Sequence, residues 1–155
     1  MASVYSFALA SQANTVYNLF MKSEAIILFD GVCNLCNGAV RFILKRDHSK
    51  KFKFASLQSK IGRDFSAQLK GSPTPETIYL IENNRAYDRS TAALTIARAL
   101  GAPWNLLYFF IIIPRPLRDG VYNWVARNRY RWFGKMESCP LPDAKFPNSK
   151  DRFIT

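Results

Sequence analysis

Ala25-Ile26-Ile27-Leu28-Phe29 runs directly into Asp30-Gly31-Val32-Cys33-Asn34-Leu35-Cys36. The first five residues are a continuous apolar run bounded by polar residues, with two isoleucines among them. That length and composition predict a strand buried on both faces. From Cys33 onward the period changes. Leu35, Cys36, Ala39, Val40, Ile43 and Leu44 fall on one side of a helix, and Arg41, Lys45 and Arg46 on the other. A buried strand, a tight turn and an amphipathic helix with two cysteines on its first turn therefore form the first unit.

Working outward, Phe52 and Phe54 alternate with Lys51 and Lys53, which predicts a second strand. Leu57 to Leu69 reads as a weaker helix, and Gly71-Ser72-Pro73-Thr74-Pro75 as a loop. Thr77 to Glu82 predicts a third strand; Asn83-Asn84 turns it into a short fourth, Arg85 to Asp88, as a hairpin. Ser90 is a natural N-cap for a helix ending near Leu100, with Gly101 as its C-cap. The order is βαβ-α-ββα. Strands joined by a helix should be parallel, and the hairpin antiparallel. This is the element order of an α/β, thioredoxin-like fold with a mixed sheet. Trp104 to Gly134 follows as an aromatic, arginine-rich helical extension. The expected division is an N-terminal arm at 1–24, the thioredoxin-like unit at 25–101, the extension packed on it at 102–142, and a polar tail at 143–155.

The composition fits this reading. With 155 residues there is room for one domain and an extension, and 48% hydrophobic residues exclude a disordered chain. Twenty-two basic against 11 acidic residues give a net charge of +11, which favours anionic partners. The apolar run from Ala102 to Ile113 is too short to span a bilayer, which takes about 20 residues. The first 21 residues lack charge, so they have neither the basic start of a signal peptide nor the arginines of a transit peptide. The expected location is cytoplasmic, with an unusual targeting segment as the alternative reading of these first residues.

Cys33 and Cys36 form a CxxC at a helix start, where unpaired N–H groups and the helix dipole favour a thiolate. The thiol pKa there falls from about 8.5 toward neutrality. Cys33, nearer the exposed start, is the candidate nucleophile; Cys36 can resolve a mixed disulfide on it. Asp30, at the strand end, is a candidate to take up or return the proton, and Gly31 lets the chain turn tightly. The other readings are inert core cysteines and a turn carboxylate. Neither a cofactor nor a metal is expected. Residue 37 is Asn rather than the His of a haem motif, and Cys139 and His48 lack zinc spacing.

Asp30-Gly31-Val32-Cys33-Asn34-Leu35-Cys36-Asn37 resembles the signature of the DCC family of thiol-disulfide oxidoreductases. The likeness continues through Phe54-Ala55-Ser56-Leu57-Gln58-Ser59, Arg89-Ser90-Thr91-Ala92-Ala93-Leu94, and Ile113 to Asp119 with Tyr122. It ends in Arg129-Tyr130-Arg131-Trp132-Phe133-Gly134, Cys139-Pro140-Leu141-Pro142 and Arg152-Phe153. The resemblance implies a thioredoxin-like fold and disulfide exchange with a protein or small-molecule thiol. The dipeptide between the cysteines is Asn34-Leu35, not the Gly-Pro of thioredoxin, so thioredoxin's potential does not carry over. Thioredoxins also set a cis-proline directly before a Thr facing the dithiol. Here Pro75 precedes Thr77 by one residue more.

Cys139 reads either as a third redox thiol or as a small buried hydrophobe. Arg115 and its neighbours read as a solvated helix face with arginines bonded to backbone carbonyls or Asp119, or as cations that lower a thiol pKa or bind an acidic thiol. Nucleic-acid binding is not expected; peripheral membrane contact stays open. The run Leu106 to Ile113 is expected in the core; exposed, it would be a partner or membrane-surface patch. The alternative to an enzyme is a non-catalytic thioredoxin-like module that holds an anionic partner through the basic aromatic extension.

Overall fold

The computed structural model describes residues 5–6, 25–68, 77–83, 85–138 and 151–154. Pro75 and Cys139 lie outside the described residues. The elements are β1 (Tyr5–Ser6), β2 (Ala25–Phe29), α1 (Asn34–Arg46), β3 (Phe52–Ser56), α2 (Lys60–Gln68), β4 (Tyr79–Glu82), β5 (Arg85–Asp88) and α3 (Arg89–Ala99). A 3-10 helix (Trp104–Ile112) and α4 (Arg115–Phe133) follow. The sheet order is β1-β5-β4-β2-β3. β2 pairs parallel with β3 and antiparallel with β4, and the β4–β5 hairpin is antiparallel. This is the mixed sheet of a thioredoxin-like fold. Tyr5–Ser6, within the expected N-terminal arm, adds a short edge strand to β5.

The continuous apolar run of β2 is explained by its place between β3 and β4, where all five of its residues are buried. One face of the sheet, through Ile27, Phe29, Phe54 and Leu80, packs on Val40 and Ile43 of α1 and Ala92 and Ile96 of α3. The other face, through Ile26, Leu28 and Ile81, packs on Phe65 of α2. Gly62 is obligatory there: a Cβ on it would stand 1.9 Å from the Ser56 carbonyl oxygen. Asn83 turns the hairpin with φ of 50°, a conformation Asn tolerates better than most residues.

α3 begins one residue before the expected cap. Asp88 takes the N-cap position and Ser90 lies inside the helix, buried. Ser90 Oγ donates to Asp119 Oδ1 at 2.5 Å, and Arg115 binds both Asp119 (3.0 Å) and Asp88 (2.5 Å). This cluster clasps α4 to α3. Arg115 thus makes the bond to Asp119 expected of these arginines, and Asp88, which the sequence did not suggest, completes the clasp.

Two expectations are corrected by burial. The end of the segment read as a polar tail is docked on the sheet. Arg152 is buried against Asp47, Phe153 packs on Phe54 with ring centroids 5.6 Å apart, and Ile154 N–H donates to the Phe54 carbonyl at 2.8 Å. The run from Leu106 to Ile113 is not core. It forms a helix with three residues per turn, so only one row of side chains meets α3, including Tyr108 on Arg98. The other rows are exposed. α4 is inverted in the same sense: it turns Asp119 and Arg129 inward and leaves Leu117, Val121 and Trp124 outside.

Candidate active site

Cys33 takes the N-cap position of α1 with extended backbone angles, and its sulfur accepts the Cys36 N–H at 3.2 Å. The CxxC thus stands where strand β2 hands over to helix α1, as the sequence predicts. Gly31 has no left-handed φ. Its N–H donates to Gln58 Oε1 at 3.0 Å and its carbonyl accepts Asn37 Nδ2 at 2.8 Å, so the turn is fixed by hydrogen bonds and not by glycine's special angles.

The two sulfurs titrate apart. A hydrogen bond from the Cys36 thiol, the Cys36 backbone N–H and the Arg129 guanidinium lower Cys33 from 9.0 to about 6, against burial and the Asp30 carboxylate. The same thiol–thiolate bond, burial and the Cys33 charge drive Cys36 well above the ordinary thiol range. Tyr122 lies close enough to feel the Cys36 charge; burial chiefly pushes its hydroxyl up to about 12.

Asp30 is 3% exposed, and both its oxygens are occupied. Oδ1 accepts Gln58 Nε2 at 2.8 Å and Val32 N–H at 3.2 Å. Oδ2 accepts Arg129 Nη2 at 2.6 Å and the Tyr130 hydroxyl. Four donors fill the lone pairs of a carboxylate. Tyr130 is itself raised, first by burial and then by its bond to Asp30. Arg129 remains charged although burial opposes it, helped by Tyr130 and by the negative potential of the cysteines. Arg129, rather than Arg115, is the guanidinium beside the dithiol.

The expectation of an exposed Cys33 fails: it is 0% exposed, whereas Cys36 is only partly buried. The chain after α4 covers it. Lys135 bridges Cys33 in antiparallel fashion, Met136 N–H donates to the Val32 carbonyl at 2.7 Å, and Asn34 Nδ2 donates to the Phe133 carbonyl at 2.7 Å. Gly134, with φ of 81°, permits this close strap; a Cβ on it would lie 3.1 Å from Asn34 Nδ2. Gln58, Tyr122, Arg129 and Tyr130 were not singled out as site residues from sequence. Arg129 stands among other polar and basic residues, Arg127, Asn128 and Arg131, so the sequence carried no local signal that this one is buried. Among the described residues no group of three or more His, Cys, Asp or Glu could hold a metal, and no helix is long and apolar enough to cross a membrane.

Three comparisons bear on this arrangement. A family model described as DCC1-like thiol-disulfide oxidoreductase matches residues 27–135. The chain is 47% identical over 140 residues to the uncharacterized protein YuxK of Bacillus subtilis, covering 86% of this chain and 99% of that one. It is 41% identical over 118 residues to a chloroplastic DCC family protein of Arabidopsis thaliana, covering 75% and 69%. No solved structure matches it.

Proposed function

From the premise that the chain belongs to the DCC1-like thiol-disulfide oxidoreductase family, we propose that it exchanges disulfides through Cys33 as nucleophile and Cys36 as resolving thiol. The observation that carries this reading is the split between the sulfurs, one lowered to about 6 and the other raised. At neutral pH the Cys33 thiolate attacks one sulfur of a partner disulfide R–S–S–R′. A Cys33–S–S–R bond forms and R′ leaves as a thiolate. Cys36 then attacks Cys33 Sγ, the Cys33–Cys36 disulfide forms, and R leaves carrying the proton that Cys36 gives up. Bonding to Cys33 lowers the thiolate charge that held Cys36 protonated, so resolution follows attack. The reverse sequence oxidises a partner dithiol.

Asp30, with all four lone-pair positions taken, serves in this reading as the counter-ion that holds Arg129 beside the sulfurs, in place of the proton carrier expected from sequence. Because Cys33 has no exposed surface, a partner disulfide reaches it only when the Gly134–Met136 strap moves. The same burial favours the second reading, a non-catalytic binding module, in which Cys33 would be alkylated slowly.

The test is a trapping experiment. Cys36→Ser should accumulate mixed disulfides on Cys33, and Cys33→Ser should abolish reduction of a small disulfide. Rapid alkylation of Cys33 should titrate near pH 6. Absence of both adducts and a transition near pH 6 would leave the binding module standing. Adducts on Cys36 in Cys33→Ser would reverse the two roles.

A further inference from the structure

We propose that the 3-10 helix and the outer face of α4 form a docking surface for a bilayer carrying anionic headgroups. In a 3-10 helix residues three apart eclipse one another. Leu106 (73% exposed), Phe109 (73%) and Ile112 (69%) therefore form a single apolar row facing solvent. At 100° per residue, Leu117, Val121 and Trp124 form a second exposed row on α4, opposite the side that buries Asp119 and Arg129. Soluble monomers seldom leave such apolar faces open.

Charge selects the occupant. Exposed Arg127 and Arg131 lie along one edge of the α4 row, and the chain as a whole carries +11. A second copy of this chain would bring like charges together across the contact, whereas anionic headgroups complement them. Indole and guanidinium groups suit the headgroup level, with apolar stems below and polar ends in water. The C-terminal end of α4 reaches the dithiol. The Phe133 carbonyl at the end of α4 accepts Asn34 Nδ2, and Asn34 follows Cys33 directly.

The experiment uses the full chain and vesicles of phosphatidylcholine alone or mixed with phosphatidylglycerol. Co-sedimentation should show binding to the mixed vesicles, weakened by salt. Arg127→Glu with Arg131→Glu should weaken it by about twentyfold or more, at about fivefold for each cation lost. Leu106→Ser with Phe109→Ser and Ile112→Ser should reduce it to background while circular dichroism stays unchanged, since these side chains are exposed. Brominated lipid should quench tryptophan emission, less so in Trp124→Phe. No association with the mixed vesicles, or equal association of wild type and both variants, overturns the proposal. So does a lipid-free wild-type dimer that the triple serine variant converts to monomer, which would assign the face to a second copy.

Discussion

At the start of α1 a buried Asp30 meets Arg129, and at its end a buried Asp47 meets Arg152. Each carboxylate accepts four hydrogen bonds. Their sources differ. Three of the donors to Asp47 come from Ser49, Lys51 and Phe52, so Asp47 closes a local turn that Arg152 then reinforces. Three of the donors to Asp30 come from Gln58, Arg129 and Tyr130, so Asp30 cross-links distant segments around two sulfurs. Burial and pairing alone therefore do not mark a reactive site. What distinguishes the first pair is that its guanidinium also acts on thiols.

Removing one partner at either end tests the parallel at its strongest. Arg129→Met, Asp30→Asn and Arg152→Met should each cost about 3–5 kcal/mol in urea unfolding, because each leaves an uncompensated buried charge. For Asp30→Asn the stability loss should come with slower turnover, because Arg129 is no longer held beside the sulfurs. A loss below about 1 kcal/mol at one end would show that the two pairs are not alike.

A second effect separates the ends by pH. The unfolded Cys33 thiol holds its proton up to about 9.0, while the folded one loses it near 6. Stability of the reduced protein from this group should rise between pH 6 and pH 9, be complete above the unfolded value, and be lost as pH falls through about 6. Cys36, raised when folded, has the opposite sign, and its contribution declines only above its unfolded value. Unfolding measured against pH should show the rise in wild type and Arg152→Lys and lose it in Cys33→Ser. A rise that persists in Cys33→Ser would assign it to other groups.

The thiol itself gives a smaller signal. Arg129→Met should move the Cys33 transition upward from about 6, and an upward move of one unit cuts the thiolate fraction at pH 6 by about fivefold. Ultraviolet absorbance of the thiolate would follow it, with Arg152→Met unchanged as the control. The smallest effect is expected at the strap. Asn34→Ala removes one bond to the Phe133 carbonyl, worth about 1 kcal/mol, and should speed Cys33 alkylation several-fold at constant pH. An unchanged rate would mean that the strap opens independently of Asn34.

Local pattern made the first half of the molecule readable. Ala25–Phe29 is as apolar as a central strand must be, and Cys33 and Cys36 fall at a helix start that the change of period announces. The hairpin about Asn83 and the alternation of Phe52 and Phe54 are equally local. The partners of Asp30 were not legible, because Arg129 lies 99 residues away and no spacing rule reaches that far. Cys33 was misjudged as exposed for the same reason: the strap that covers it comes from Gly134–Met136. The apolar row at Leu106 was misjudged for another. Hydrophobicity says that a side chain should leave water, but not into which neighbour, and here the three-residue period turns two rows of the helix away from the protein.

The 99-residue separation between Asp30 and Arg129 also has a consequence for synthesis. At about 5–20 residues per second a ribosome needs roughly 5–20 s to travel from one to the other. For that interval the nascent chain displays both cysteines without the guanidinium that favours the thiolate and without the strap that covers it. Cys33 then lacks the share of its activation that Arg129 supplies and is open to any oxidant present. The dithiol draws the distant part of its activation, from Arg129, and its cover, from Gly134–Met136, out of the same late stretch of chain, so the newly made protein becomes fully activated only as it becomes shielded.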